Sequence, residues 1–501
     1  MQSYIQAQAA HLSAKDEEIE RLRYLVLYFK SLKFAPQSEK SPGQTERLFD
    51  EAEFRDGEKE EFTEIKTHRR RRGGRKPYPK EIPREEILHD IPEAEKICAC
   101  GDTRERIGEE TTEKLDIIPA KITVIRHIRP KYCCKRCLSA KNMANAFRIA
   151  ENPPEILPKS MATAGLFAHV LTNKFCDHLP YHRQEKIFQR HGIDISRANL
   201  SNWQIQFYER FDRLENLLWA DLLASPVILS DETPLQVLRE KHRRDTQKSY
   251  MFVFATGESA QTTEKIRLFQ YRETRSASFL TDRLRNYAGV LATDGYKSYD
   301  ALCRDGNIMH SACWAHVRRK FYDIQVHQPS PIAEQALERI GRLYAIESEI
   351  RGRSAEERRS VRRTRAGPEL AALRDWLHAT LTTLSKKSEL ASAIRYALSR
   401  WPALLRYRDD GRLEIDNNAA ERSIRPIALG RKNWLFAGSD DGGERAAAIY
   451  SLLGTAQLNG LNIEAYLKLL LDRLPDHPVN RVEELLPWAV AAELPALRLA
   501  A

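Results

Sequence analysis

Apolar residues recur every seven positions near the start of the chain: Ile5, Leu12, Ile19 and Val26, with Leu22 and Phe29 on the adjoining seam. Glu, Lys and Arg lie outside this stripe, so residues 4–34 are expected to form a helix. It either zips to a second copy or packs on its own chain, and Lys15 weakens the zipper. The pattern then stops. Residues 36–66 are polar, acidic and poor in large apolar side chains, which reads as linker. A β-like run follows at Lys121-Ile122-Thr123-Val124-Ile125-Arg126-His127-Ile128-Arg129. Residues 158–215 read as helical, with helices at Met161–Asn173, at Tyr181–His191 and from a cap at Ser196 or Asn199 to about Arg210. Gly192 to Ser196 forms the turn between the last two. This is a helix-turn-helix pattern or a plain three-helix packing.

Further on, Pro226–Thr233 is an apolar run closing on Asp231, and Gly289–Tyr296 is another closing on Asp294. Ser249–Thr256 and Lys265–Tyr271 read as strands and Ser276–Asn286 as a helix. Residues 328–405 read as charged helices at Glu334–Arg351, Ala355–Arg365 and Pro368–Leu384. The arginines between Arg351 and Arg365 form either a DNA-facing arm or a solvated face. The stretch Asp416-Asn417-Asn418-Ala419-Ala420-Glu421-Arg422 starts a helix that Pro426 should end or kink. A turn-rich segment through Gly443 is expected next, then helices at Glu444–Asn459 and Ile463–Leu474.

Length and charge bound these readings. A chain of 501 residues suggests three or four domains. Lys plus Arg number 80 against 70 Asp plus Glu, a modest net +10, so where the charge sits matters more than its total. No apolar run reaches the roughly 20 residues needed to span a bilayer. No signal peptide is legible at Met1-Gln2-Ser3-Tyr4, so a cytoplasmic protein is expected. The stretch Thr67 to Lys80 contains Arg69, Arg70, Arg71, Arg72, Arg75 and Lys76 and no acid. Its Gly-Arg-Lys-Pro core resembles an AT-hook, an arm for a narrow minor groove; the alternative is a nonspecific phosphate binder. Of eight cysteines, five lie between Cys98 and Cys137. Cys98 with Cys100 and Cys134 with Cys137 make two knuckles flanking the β-like run, a four-cysteine site for one structural Zn2+, with Cys133 a substitute for Cys134.

Carboxylates carry the remaining chemistry. Asp231 and Asp294 at strand ends, with Glu421 on a helix beside Asn417, can make an oxygen cage for two Mg2+ or Mn2+ ions. Such a pair suits phosphodiester chemistry. Arg197, Asn199 and Asn202 on the third helix, Arg318, Arg319 and Lys320, and Arg422, Arg425, Arg431 and Lys432 are candidate DNA contacts. Cys313 and His316 form a C-x-x-H pair read as structural rather than metal-binding.

Asp231-Glu232-Thr233, Thr293-Asp294-Gly295-Tyr296, Asp416-Asn417-Asn418-x-x-Glu421-Arg422 and Gly430-Arg431-Lys432-Asn433-Trp434-Leu435-Phe436-Ala437-Gly438-Ser439 resemble the insertion-sequence transposases of family sixty-six. The resemblance runs from near residue 10 to near residue 475 in the same order. It implies a multidomain α+β protein with an RNase-H-like mixed α/β core and an Asp-Asp-Glu triad. The organisation is then a zipper-like helix at 1–35, a linker with the basic arm at 36–90, a zinc module at 91–150 and a helix-turn-helix-like domain at 155–220. The core occupies 222–327 and 406–460 around a helical insertion at 328–405, with a tail at 461–501. The implied function is a DNA transposase that binds the element's terminal inverted repeats, cuts them and joins them to target DNA. A dimer and small accessory proteins of the same element are the implied partners, with no membrane. The alternatives are an RNase-H-fold nuclease or resolvase that cuts without joining, and a transposase-derived regulator that only binds.

Overall fold

The computed structural model describes residues 122–133 and 147–494, apart from gaps at 152, 239, 241–246, 258–263, 296–298, 300–301 and 304–306. It also describes the backbone of two strands between 62 and 71. The expected helix at 1–35, the cysteines Cys98, Cys100, Cys134 and Cys137, and Arg72, Arg75 and Lys76 lie outside the described residues. Two compact units divide the chain, 41–152 and the remainder.

In the smaller unit, β1 (Phe62–Ile65) pairs antiparallel with β2 (His68–Arg71), so a hairpin stands where linker was expected, and the backbone of Arg69, Arg70 and Arg71 lies in a strand. β3 (Lys131–Cys133) pairs antiparallel with β4 (Phe147–Ile149). The expected strand at 121–129 is not one: residues 122–130 run without strand pairing, and Val124 is 95% exposed. Strand propensity needs a surface to pack against, and among the described residues nothing covers this run.

The larger unit begins with α1 (Ala164–Phe175), α2 (Tyr181–Arg190), α3 (Arg197–Tyr208) and α4 (Asp212–Ala224). Gly192, at φ +75, makes the turn before α3, and Ser196 caps α3 by accepting from the Asn199 N–H. Leu200, Trp203 and Phe207 turn α3's apolar face inward against Phe167 of α1.

The central sheet has the order β7-β6-β5-β8-β9, with β5 (Val227–Gln236), β6 (Lys248–Thr256), β7 (Arg267–Arg272), β8 (Val290–Thr293) and β9 (Met309–Ala312). β5, β6 and β7 are antiparallel, while β8 and β9 run parallel to β5. The parallel crossover between β5 and β8 contains α5 (Ala277–Arg283). β9 was not anticipated; four residues, one a histidine, give no period. His310 is buried there and bonds Thr293 Oγ1 of β8 at 2.9 Å.

After β9 come α6 (Trp314–His327), α7 (Pro331–Glu349) and α8 (Ala355–Val361), which runs through one π turn into α9 (Gly367–Thr383). α10 (Glu389–Ser399) and α11 (Trp401–Asp409) complete the helical segment. α12 (Asn418–Trp434) takes up most of the expected turn-rich stretch, and α13 (Asp440–Leu458) is the helix expected at Glu444–Asn459, starting earlier. α12 continues through Pro426: its buried face of Ala420, Ser423, Ile424, Ile427 and Gly430 outweighs the roughly 3 kcal/mol local cost of an internal proline. α13 closes the outer edge of β7. Ser451 Oγ accepts from the Phe269 N–H at 2.7 Å and Thr455 Oγ1 from the Arg267 N–H at 3.1 Å, so the edge strand's polar groups are occupied. Gly443 permits this approach, since a Cβ there would come within 2.6 Å of the Tyr271 ring. α14 (Ile463–Arg473), a 3-10 turn at Val479–Leu485 and α15 (Pro487–Glu493) finish the described chain.

Candidate functional site

Register brings the two aspartates together. Leu229 of β5 pairs with Ala292 of β8 in parallel, so two residues further along, Asp231 and Asp294 fall side by side. Asp231 is not at a strand end, as the sequence implied. β5 continues to Gln236, paired there antiparallel with β6, while Gln236 O accepts from the Ala437 N–H at 2.9 Å. It is β8 that stops, and Asp294 follows it in a turn where Gly295 has φ +84. A Cβ at Gly295 would lie 2.6 Å from Arg400 Nε, so only glycine fits. The turn is held from the helical segment: Tyr396 Oη donates to Asp294 O at 3.0 Å and Arg400 Nη2 to Gly295 O at 2.6 Å.

Asn417 brings in the third acid. It is buried, and its Nδ2 donates to Ser230 O at 2.9 Å, beside Asp231 on β5. Its backbone N–H donates to Cys313 Sγ at 3.2 Å, and the Trp314 N–H donates to Ile415 O at 3.2 Å. The start of α12 is therefore stapled to both β5 and the β9–α6 junction, with Glu421 one turn along. Asp416 prepares this helix start by accepting from the Asn418 N–H and Nδ2 and from Tyr344 Oη. Burial lifts its carboxyl to about 6, against those hydrogen bonds.

Asp231, Asp294 and Glu421 share one electrostatic environment. Burial, then the charges of Glu421 and Asp294, push the Asp231 carboxyl up to about 8, against a lowering by Arg275. Carboxylates that repel one another resist joint ionisation, a penalty that a divalent cation removes, so an all-carboxylate donor set suits a hard cation. Among the described residues, the three ligand atoms that lie within 4.8 Å of one another belong to Cys313, His316 and Glu421, with His316 Nε2 3.8 Å from Glu421 Oε1. Burial holds the Cys313 thiol well above the usual range, and its sulfur accepts from the Asn417 N–H.

Glu232 turns away from Asp231. Its side chain is 2% exposed, pairs with Arg275 and accepts from Tyr299 Oη at 2.9 Å. Arg275, Tyr299, Tyr396 and Arg400 escaped the sequence reading, because each acts from an element with no motif of its own. Of the candidate DNA contacts, Arg197, Asn202, Arg319, Arg425 and Lys432 are exposed and Asn199 and Arg422 half-buried. Arg318 and Lys320 lie over the rings of Tyr322 and Tyr396. Arg431 is committed within the chain: its Nη1 donates to Thr233 Oγ1 at 3.0 Å and Pro234 O at 2.7 Å, tying α12 to β5. The Arg351–Arg365 stretch is not a uniformly solvated face, because Arg358 and Arg362 are buried on acidic partners.

Comparison with known proteins agrees across the chain. Residues 159–445 match the "Transposase IS66 family", and 451–488 match the "IS66 C-terminal element". Residues 95–137, which include all four paired cysteines, match the "zinc-finger binding domain of transposase IS66". Residues 21–87 match "Transposase C of IS166 homeodomain". The chain is 36% identical to "Uncharacterized protein y4jD" of Sinorhizobium fredii (strain NBRC 101917 / NGR234) over 82% of this chain and 81% of that one. It is 32% identical to "Uncharacterized protein y4hP" of the same strain over 85% and 78%. A chain of the "Crystal structure of the Mos1 Strand Transfer Complex" is similar at 12% identity over 55% of this chain and 86% of that one, with a TM-score of 0.12, too low to bear on the fold. No helix among the described residues is long and apolar enough to cross a membrane. With its family-specific segments matched in order from residue 21 to residue 488, this chain belongs to the IS66 family of transposases, enzymes that act on DNA.

Proposed function

We propose that Asp231, Asp294 and Glu421 form the catalytic centre of this transposase, on an RNase-H-like core. The observation that carries the reading is geometric: the β5–β8 register sets Asp231 beside Asp294, and the Asn417 bond to Ser230 O holds the start of Glu421's helix against the same strand. Support for the core comes from strand order: three antiparallel strands, then two parallel ones reached by crossover, with the acids at β5, after β8 and on α12. The three carboxylates would hold the divalent ions, Mg2+ or Mn2+. What two such ions supply is activation of the attacking oxygen and stabilisation of the leaving one. The chain's own part is positional: Asn417 fixes Glu421 relative to β5, and Tyr396 with Arg400 fixes the Asp294 turn. In the proposed reaction, water breaks one P–O bond at the element's end and leaves a 3′-OH. That hydroxyl then forms a new P–O bond in target DNA as another breaks. No covalent protein–DNA intermediate is required. Arg197, Asn199 and Asn202 on α3, the basic arm from Arg69 to Lys76, and Arg319, Arg422, Arg425 and Lys432 would bind the duplex, with a dimer bridging two ends.

The test is an assay with the inverted-repeat ends of the element, supplied both uncut and pre-cut. We expect nicking of the first and joining of the second to target DNA. Cutting without joining would make the protein a nuclease, and binding alone a regulator.

The cysteine module gives a second expected outcome. Four thiolates closing a tetrahedral site supply folding energy that a small β segment lacks. Purified protein should carry about one zinc per chain, and Cys98→Ser or Cys137→Ser should lose it together with local structure. Metal analysis that finds no zinc removes the reading.

A further inference from the structure

Cys313, His316 and Glu421 reach one point from two elements far apart in sequence. Cys313 is the residue before α6 and His316 lies in the first turn of that helix, while Glu421 comes from the first turn of α12. Each offers one ligand atom, and the three lie within 4.8 Å of one another. His316 Nε2 is 3.8 Å from Glu421 Oε1, beyond hydrogen-bond reach, and His316 Nδ1 is buried with no hydrogen-bond partner among the described residues. The imidazole therefore faces the carboxylate without bonding to it, and a buried ring nitrogen left this way calls for an explanation. The His316 and Glu421 side chains are 29% and 36% exposed and Cys313 is buried, so an ion can enter from solvent and come to rest against the sulfur. That sulfur accepts from the Asn417 N–H at 3.2 Å and from the His316 N–H, two donors that favour a thiolate.

The donor set selects the ion. Mg2+ and Ca2+ take oxygen ligands and would leave the sulfur and the imidazole unused. Zn2+ takes sulfur, nitrogen and oxygen together in a tetrahedral array, with a fourth position open to water. Bonds of about 2.0–2.3 Å in that array put the ligand atoms about 3.3–3.6 Å apart, a spacing that side-chain adjustment alone supplies here. We infer that Cys313, His316 and Glu421 form a site for one borderline-soft divalent cation of the Zn2+ class, sharing Glu421 with the proposed all-carboxylate cage. As the metal–sulfur bond forms, the thiol proton passes to solvent. The sharing has a consequence that rests on the proposed function: a Glu421 carboxylate engaged here is withdrawn from Asp231 and Asp294, so Zn2+ should oppose Mg2+ in nicking.

Co2+ is the probe, because a thiolate bound to it gives a charge-transfer band in the near ultraviolet. It is titrated into the full chain and into Cys313→Ser, His316→Gln and Glu421→Gln; any contribution from the cysteine module is common to all four. The parent should take up one more Co2+ per chain than Cys313→Ser, with a band that this variant lacks. His316→Gln and Glu421→Gln should need at least tenfold more Co2+ to develop it. His316 is partly exposed, so its variant keeps the test open if Cys313→Ser does not fold. Identical Co2+ titrations of the parent and His316→Gln would overturn the inference, as would an undiminished band in folded Cys313→Ser, which would place all the thiolate-bound cobalt in the cysteine module. Nicking then separates this site from the proposed function. The Zn2+ concentration that halves each protein's own Mg2+-dependent rate should rise at least tenfold in His316→Gln. If Co2+ bound as expected and Zn2+ left nicking untouched, the site would stand and Glu421's place in the catalytic centre would fall. If no Co2+ bound here while Glu421→Gln was unable to nick, the site would fall and the catalytic centre would stand.

Discussion

Asp231→Asn, Asp294→Asn and Glu421→Gln should each abolish nicking and strand transfer while binding of end DNA changes little. Each substitution keeps the side chain's shape and removes one negative charge from a cage that needs all three to hold cations. The expected loss is on the order of a thousandfold or more for each, and the losses should not add, because the three act as a unit. Binding is expected to survive, since α3 and the basic arm would carry it. One consequence is measurable without turnover. With a charge removed from the trio, the remaining carboxylates repel one another less, so divalent-ion affinity should fall in all three variants. Glu232→Gln is the control. Glu232 faces Arg275 and Tyr299, so its change should cost stability and yet retain substantial metal-dependent nicking. Full activity in Glu421→Gln, or a dead Glu232→Gln beside a live Asp231→Asn, would place the chemistry on other carboxylates.

The acids proposed for the site can be picked out in the sequence because chemistry restricts residue type: few segments end an apolar run on an acid, and none but Asp416 to Arg422 sets two amides and two acids at a helix start. What joins them was not legible. Asn417 could be read as sharing a face with Glu421, but its bond to Ser230 O depends on where β5 lies. The length of β5 was misjudged because Pro234 looks like a strand end. A proline is tolerated there because β8 pairs only with Val227 to Leu229, so no strand ladder needs an N–H from Pro234, whose carbonyl instead accepts from Arg431. Pro426 misled in the same way, since a local rule was outweighed by the buried face of α12. Three of the four helices from 164 to 224 were visible, and glycine, serine cap and apolar period agree at the turn before α3, whereas α4 has no side-chain cap to announce it. The dense arginines between 351 and 365 defeated the reading for a different reason. Charge in a sequence says nothing about burial until its partner is placed, and Glu347 and Glu414 lie on other elements.

That buried cluster gives the second large effect. Arg362 is fully buried, and its Nε and Nη2 grip Glu347 Oε1 and Oε2 at 2.7 and 2.6 Å while its Nη1 donates to Tyr407 O at 2.8 Å and Asp410 O at 3.2 Å. Arg358 beside it holds Glu414 Oε2 at 2.8 Å and Leu413 O at 3.3 Å. Together the two arginines fix the segment from Tyr407 to Glu414, which leads directly into Asp416, Asn417 and Glu421. Arg362→Met keeps much of the volume but leaves Glu347 buried with Arg358 Nη2 at 3.7 Å as its remaining ion-pair contact, and strips a donor from two carbonyls. Breaking such a pair from one side costs about 3–5 kcal/mol. In a unit of this size that lowers the melting temperature by roughly 4–7 °C. Arg362→Met with Glu347→Leu removes the stranded charge as well and should recover much of the loss, because the energetic fault lies in the unpaired carboxylate rather than in the missing pair. Activity should separate from stability in the double variant. Its melting temperature returns toward the parent's, but the Tyr407 and Asp410 carbonyls stay without their donor, so the approach to Glu421 loosens and nicking stays below the parent's at a temperature where both proteins are folded. An Arg362→Met variant that melts with the parent would show that the cluster does not hold this segment, and a double variant no better than the single would show that the stranded charge is not what destabilises it.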